Sequence, residues 1–90
     1  MTMNRYGDIA SRHWEQWLPK RYRELENPTQ FFTNLGEEIA TRVHELSEAL
    51  AGDDPPGEQY LAKLGRLNMT RANAESQALR ELALLDPESR

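Results

Sequence analysis

Cysteine is absent from this 90-residue chain. That excludes a disulfide staple and a thiolate zinc site, and it fits a reducing compartment, so a cytoplasmic location is the expectation. Long hydrophobic runs are missing too. Nothing approaches the roughly 18 apolar residues needed to cross a bilayer, and the first residues carry no apolar core of a secretory signal. No membrane role is expected. Aromatic residues are few, at 8%, and unevenly placed: both tryptophans and two of the three tyrosines precede residue 23. A chain this short buries only about 60–65% of its unfolded surface, so its core is thin and self-association is an obvious remedy.

Phosphate-binding loops of the GxxxxGK[ST] and GxGxxG types are absent, as are HExxH and GxSxG. The only histidines are His13 and His44. His44 and Glu48 stand four residues apart and could hold a metal weakly, but two ligands on an exposed helix are a surface pair. His13, beside Trp14, reads as a packed imidazole. No enzyme activity, cofactor or metal is expected.

Three helices are present instead. The stretch Asn27–Gly52 is the most explicit. Phe32, Leu35, Ile39, Val43, Leu46 and Leu50 recur every three or four residues and form one stripe. Asn27 can cap, Pro28 suits the first helical position, and Gly52 can close the helix in the left-handed region. At 1.5 Å per residue this rod runs on the order of 37 Å and needs a partner as long. Gly36 marks either a kink or a close backbone approach.

Before it, Asp8 can cap a helix through Ile9, His13, Trp14, Trp17 and Leu18, with Pro19 bending or restarting it. A bent or split helix over about residues 8–25 is predicted, preceded by a short loose tail or a frayed first turn over residues 1–7. After it, Asp54-Pro55 can open a third helix from about 55 to 85, ended by Asp86-Pro87, with residues 86–90 loose. Its apolar set is Tyr60, Leu61, Leu64, Leu67, Ala72, Ala78, Leu79, Leu82 and Leu85. A tight loop between long helices makes them antiparallel. The Asp53-Asp54 loop lacks the glycine and glutamate of an EF-hand. The predicted fold is therefore a single all-α domain: an antiparallel hairpin over about 27–51 and 55–85, with the N-terminal helix packed on it. Gly65, Asn68, Ala72, Glu75 and Ser76 leave room on the third helix, and the tryptophans are the natural filling.

The net charge of −4 is segregated. Residues 1–23 carry +3, residues 24–59 carry −8, and residues 60–90 carry +1. A nucleic-acid binder is usually basic overall, so DNA is disfavoured. Only Arg12, Lys20, Arg21 and Arg23 could meet phosphates, in an excision or transfer accessory factor. The acidic middle, with Glu37, Glu38, Glu45, Glu48, Asp53 and Asp54, could alternatively occupy the basic channel of a nucleic-acid-binding host protein. Arg66, Asn68, Arg71 and Glu75, with Trp14 and Trp17, are the candidate interaction residues, Arg71 being able to pair with Glu75 at i+4. A protein partner is expected, a homodimer being one form.

The run Leu64-Gly65-Arg66-Leu67-Asn68-Met69-Thr70-Arg71-Ala72-Asn73-Ala74, with Glu81-Leu82 beyond, resembles the C-terminal segment of the TnpV family of transposon-encoded proteins. That family has Gly-Arg-Met-Asn, two variable residues, Arg-Ala and a nearby Ala, then a late Glu-Leu. Gly65, Arg66, Asn68, Arg71, Ala72, Ala74, Glu81 and Leu82 match, and Leu67 is a mild change. Arg12-His13, and Trp17-Leu18 with the following Lys20 to Arg23, are similar to a second, N-terminal region. The main match covers about a quarter of the chain. Pro19 departs from the family pattern, and the longer N-terminal extension is lacking. The resemblance implies an accessory protein of a transposon, integrative element or prophage. It implies neither recombinase nor transposase activity, and it carries over no catalytic residue.

Overall fold

Local signals around Asn27 operate as the sequence suggests. In the computed structural model, which describes residues 3–88, the Asn27 side chain accepts from the Gln30 N–H at 3.2 Å. Pro28 then opens a helix of 24 residues, and Gly52 closes it at φ 59°. Among the described residues four helices form: α1 (Arg5–Trp17), α2 (Pro19–Glu24), α3 (Pro28–Ala51) and α4 (Tyr60–Leu82). No strand occurs among the described residues. The protein is all-α, and α4 returns along α3 as the long hairpin. Arg66 reaches the Ala51 carbonyl at the turn, and farther along Arg42 meets Glu81.

The split at Pro19 is present, with Leu18 as the joint. Its N–H still donates to the Trp14 carbonyl at 2.8 Å, and its side chain is buried. The start of α1 differs from the expectation. Asn4, not Asp8, is the cap: its Oδ1 accepts from the Gly7 N–H while its amide donates to the Gly36 carbonyl, both at 2.9 Å. One side chain thus ends α1 and ties it to α3. Asp8 lies inside the first turn and pairs with Arg12 at 3.2 Å. Arg5, Tyr6 and Gly7 are helical rather than part of a tail; Met1 and Thr2 lie outside the described residues.

Gly7 and Gly36 set the crossing of α1 on α3. A Cβ on Gly7 would stand 2.5 Å from the Phe32 carbonyl oxygen, and one on Gly36 would stand 2.8 Å from the Gly7 nitrogen. Of the two roles open to Gly36, close approach is the one realised. Above this contact lies the aromatic cluster. Trp14 meets Phe31 and Phe32 with ring centroids at 5.2 and 5.5 Å, and Tyr22 stacks on Phe32 at 6.0 Å. Tilted and edge-on contacts of this kind suit the ring quadrupoles.

Helix α4, the third helix expected from the sequence, is shorter than predicted at both ends. It begins at Tyr60 because Pro55 and Pro56 are followed by Gly57 at φ 75°, and the Pro55 carbonyl accepts from the Glu58 N–H as a turn. It ends at Leu82 because α1 competes for the following carbonyls. Trp14 Nε1 donates to the Ala83 oxygen at 3.0 Å, and His13 Nε2 lies 2.8 Å from the Leu85 oxygen. The chain from 83 to 88 then runs beside α1 and α2. The Glu88 N–H donates to the Trp17 carbonyl, and its carboxylate accepts from the Lys20 and Arg21 N–H groups. Glu88 is therefore tied down where a loose end was expected; Ser89 and Arg90 lie outside the described residues.

The tryptophans do not both fill the middle of the hairpin. Trp14 is buried near its open end, while Trp17 is 45% exposed. The small residues buried on α4 are Ala74 and Ala78, on a helix that lies close against α3, and not Gly65, Asn68, Ala72 or Ser76, which are exposed. Both sets recur at helical spacing. The Ala74–Ala78 set wins because Leu82 continues it inward and Glu75 beside it finds partners on α1.

Candidate interaction surface

The six candidate interaction residues separate into three groups. Arg66 is a clamp on the hairpin turn. Its Nε and Nη2 donate to both Glu58 carboxylate oxygens at 2.9 and 3.1 Å, Nη2 also to Asp54 at 2.9 Å, and Nη1 to the Ala51 carbonyl at 2.9 Å. The last bond satisfies one of the carbonyls orphaned at the end of α3. Glu75 and Trp14 hold α1. The Glu75 carboxylate accepts from Tyr6 Oη at 2.8 Å and from the Arg5 guanidinium. The expected Arg71–Glu75 pair is therefore not made: Arg5 and Tyr6 approach Glu75 from α1 and occupy it. Asn68, Arg71 and Trp17 make up the exposed group, and Arg71 has no ion pair among the described residues.

This division has a direct consequence. Arg66→Ala should lower the melting temperature by several degrees, since four hydrogen bonds at the turn disappear together. Arg71→Ala should leave it unchanged within about 1 °C, because an exposed, unpaired side chain contributes little. Thermal circular dichroism on both variants makes the comparison.

The charged candidates are spread over the surface. Lys20, Arg21 and Arg23 are exposed on α2, beyond the Pro19 break and apart from the Arg12–Asp8 pair on α1. Glu37, Glu38, Glu45 and Glu48 are exposed on α3, Glu45 near Arg42 at 3.4 Å and Glu48 near His44 at 3.2 Å. Asp54 is engaged by Lys63 and Arg66. A shallow depression lies between Phe31, Asn34, Leu35 and Glu38. Among the described residues, no group of three or more His, Cys, Asp or Glu side chains could hold a metal ion, and no helix is long and apolar enough to cross a membrane.

Three carboxyls lie below their ordinary range. The hydrogen bond from Lys63, then those charges and Arg66, hold Asp54 down. The Arg42 hydrogen bond, helped by Gln77, does the same for Glu81. At Glu88, burial pushes upward, but the N–H groups of Arg21 and Lys20 outweigh it. A carboxyl with a folded pKa below its unfolded value stabilises the fold fully above the unfolded value, and that contribution disappears as pH falls through the folded one. Melting temperature should therefore hold down to about pH 5 and decline below about pH 4, around the ordinary values of 3.8 and 4.5. Asp54→Asn should melt lower at pH 7 and show a smaller acid decline, measured by melts from neutral to acid pH.

A feature missed in the sequence is where the hairpin goes uncovered. Tyr60, Leu64, Leu67, Arg71, Ala74, Ala78 and Leu82 follow one face of α4 at spacings of three and four. Ala74 and Ala78 are fully buried, but Tyr60 is 75% exposed, Leu64 43% and Leu67 37%. Leu61, beside them, is 78% exposed. On α3, Phe32, Ile39, Val43 and Leu46 of the stripe are buried and Leu35 is half-buried, and the stripe opens at Leu50, which is 52% exposed. The cause is length. A 13-residue α1 spans about 20 Å against about 36 Å for α3. It begins at the level of Gly36 and Glu75, so the turn half of the hairpin has no third layer. The signal for this, a short aromatic helix against a long stripe, is present in the sequence.

Comparison with known protein families, with curated proteins and with solved structures finds no significant match to this chain.

Proposed function

We propose that this is a small, non-enzymatic helical interaction protein of a mobile genetic element, acting by binding another macromolecule through the open half of its hairpin. The observation that carries the binding role is the apolar stripe from Tyr60 to Leu67 with Leu50 on α3, left in water where the same face of α4 is sealed two turns later at Ala74. A contiguous apolar face of this kind marks an interaction site on a small protein. The element-borne origin rests on the resemblance of residues 64–82 to the TnpV family, and it predicts recombinase or transfer genes beside its own. The test is a photoreactive amino acid in place of Leu61, irradiated in the native host. A discrete protein adduct, lost on adding Leu64→Asp, is expected. No adduct of any kind would remove the binding role.

A DNA-binding accessory role stands second, favoured by Lys20, Arg21 and Arg23 projecting from α2 without ion pairs among the described residues. Glu88 sets a carboxylate at the backbone of that same turn, which weakens its positive field. Titration with duplex DNA decides: three phosphate contacts give a log–log salt slope of about −3, and no shift at low salt excludes this role.

A further inference from the structure

We infer that the uncovered half of the hairpin is closed by a second copy of this chain, related by a two-fold axis that runs across the helices, with the two turns pointing in opposite directions. The inference rests on the binding role above and names the occupant of that surface.

The first support is fit. α1 fills the third layer over one half of the hairpin and stops at Asn4, bonded to Gly36. The vacant half holds α4 from Tyr60 to Arg71 and the last turns of α3, a length of about 18 Å. Two such halves laid face to face, antiparallel, occupy each other's missing layer. The turn of one copy then abuts the start of α1 in the other. Around the midpoint of the Tyr60–Arg71 segment, Leu64 of one copy meets Leu67 of its partner, and Leu61 meets the Thr70–Arg71 level. Leu50 on each α3 closes the side. Such a contact is isologous, as closed dimers require.

The second support is charge. The inner end of the open face carries Arg71, exposed and unpaired among the described residues, beside the positive end of the α1 dipole. The outer end carries Asp53, also exposed and without an ion pair among the described residues. The two-fold arrangement places inner end on outer end twice, so each Asp53 meets the partner's Arg71 and α1 N-terminus. A parallel arrangement would set like on like. The Tyr60 ring comes to the same level and offers its face to the guanidinium. The internal ion pairs of Arg66 with Asp54 and Glu58 are left untouched.

The face is two helices wide, about 20 Å, and its footprint falls short of the roughly 800 Å² per partner of a standard stable interface. The dimer is therefore a dissociating one, with Kd in the micromolar range.

Sedimentation equilibrium of the full chain, from about 1 μM to about 1 mM, reads this directly. The mass should rise from one chain to two with concentration. Leu61→Asp with Leu64→Asp, both at exposed positions, should weaken association at least about 100-fold while the helical circular dichroism spectrum is kept. Arg71→Asp and Asp53→Arg should each weaken it about tenfold, and the two together should restore it. Restoration separates contact from misfolding, since both residues are exposed. A wild-type monomer at every concentration overturns the inference, as does a dimer indifferent to the leucine changes or a double reversal that fails to recover. If the Leu61 photo-adduct contains a different macromolecule and no second copy, the occupant is wrong while the binding role stands.

Discussion

Replacing Trp14 with alanine should bring the protein close to unfolding at room temperature. The indole is buried and lies against both Phe31 and Phe32. Its loss leaves a large cavity where α1, α3 and the end of α4 converge, and truncations of this kind cost about 3–5 kcal/mol. The Ala83 carbonyl loses its donor as well, which adds about 1 kcal/mol or more. A domain of this size has about 5–13 kcal/mol in total, so the variant retains a small remainder. Trp14→Phe separates the two contributions, since it keeps most of the packing and drops the hydrogen bond; a loss of about 1–2 kcal/mol is expected. Trp17→Ala is the control. At 45% exposure its loss should stay within about 1 kcal/mol. Urea titration of the three variants checks the order. Equal losses at Trp14 and Trp17 would contradict the described packing.

Glycine to alanine should have opposite signs at two helical positions. In an exposed helix interior the change stabilises by up to about 1 kcal/mol through backbone entropy. Gly65 on α4 meets that condition, because a Cβ there touches nothing within 4 Å. Gly36 does not. A methyl there would press on the Gly7 nitrogen at 2.8 Å and on the Asn4 side chain, which is fixed at both its ends. Helix α1 would have to lift from α3, releasing the Asn4 cap and the bond to the Gly36 carbonyl. A net loss of about 2–3 kcal/mol is expected, and Gly36→Val should be worse. Denaturation midpoints give the sign immediately. Stabilisation at Gly36 would mean that α1 does not cross α3 there.

Much of the scaffold was legible because independent local signals agreed. For α3, the Asn27 cap, Pro28, the six-residue stripe and Gly52 each mark the same span, and the helix is found within a residue of it. The break at Pro19 follows from a missing N–H alone. For α4 the signals conflict. Asp54-Pro55 reads as a start, yet Gly57 in the left-handed region and the demands of Arg66 on Asp54 and Glu58 turn those residues into a clasp. The Asn4 cap is a local signal, its Oδ1 accepting from the Gly7 N–H three residues on; only its second bond, to Gly36, joins residues 32 apart.

The candidate surface was legible only in part. Arg66, Asn68, Arg71 and Glu75 share a helix, but neighbours remote in sequence decide what each does. Glu58 and Asp54 take Arg66, and Arg5 and Tyr6 take Glu75, leaving Asn68 and Arg71 outside.

Helix content, the hairpin, its joints and the segregation of charge were determined by sequence alone, because backbone propensity, capping and periodicity act within a few residues. The rotation of α4 about its own axis, and the extent of α3 that α1 covers, were decided only by the tertiary structure. Both depend on the close approach of Gly7 to Gly36 and on Trp14 reaching Ala83. No local signal encodes contacts between residues so far apart, and those contacts fix which leucines are sealed and which meet water.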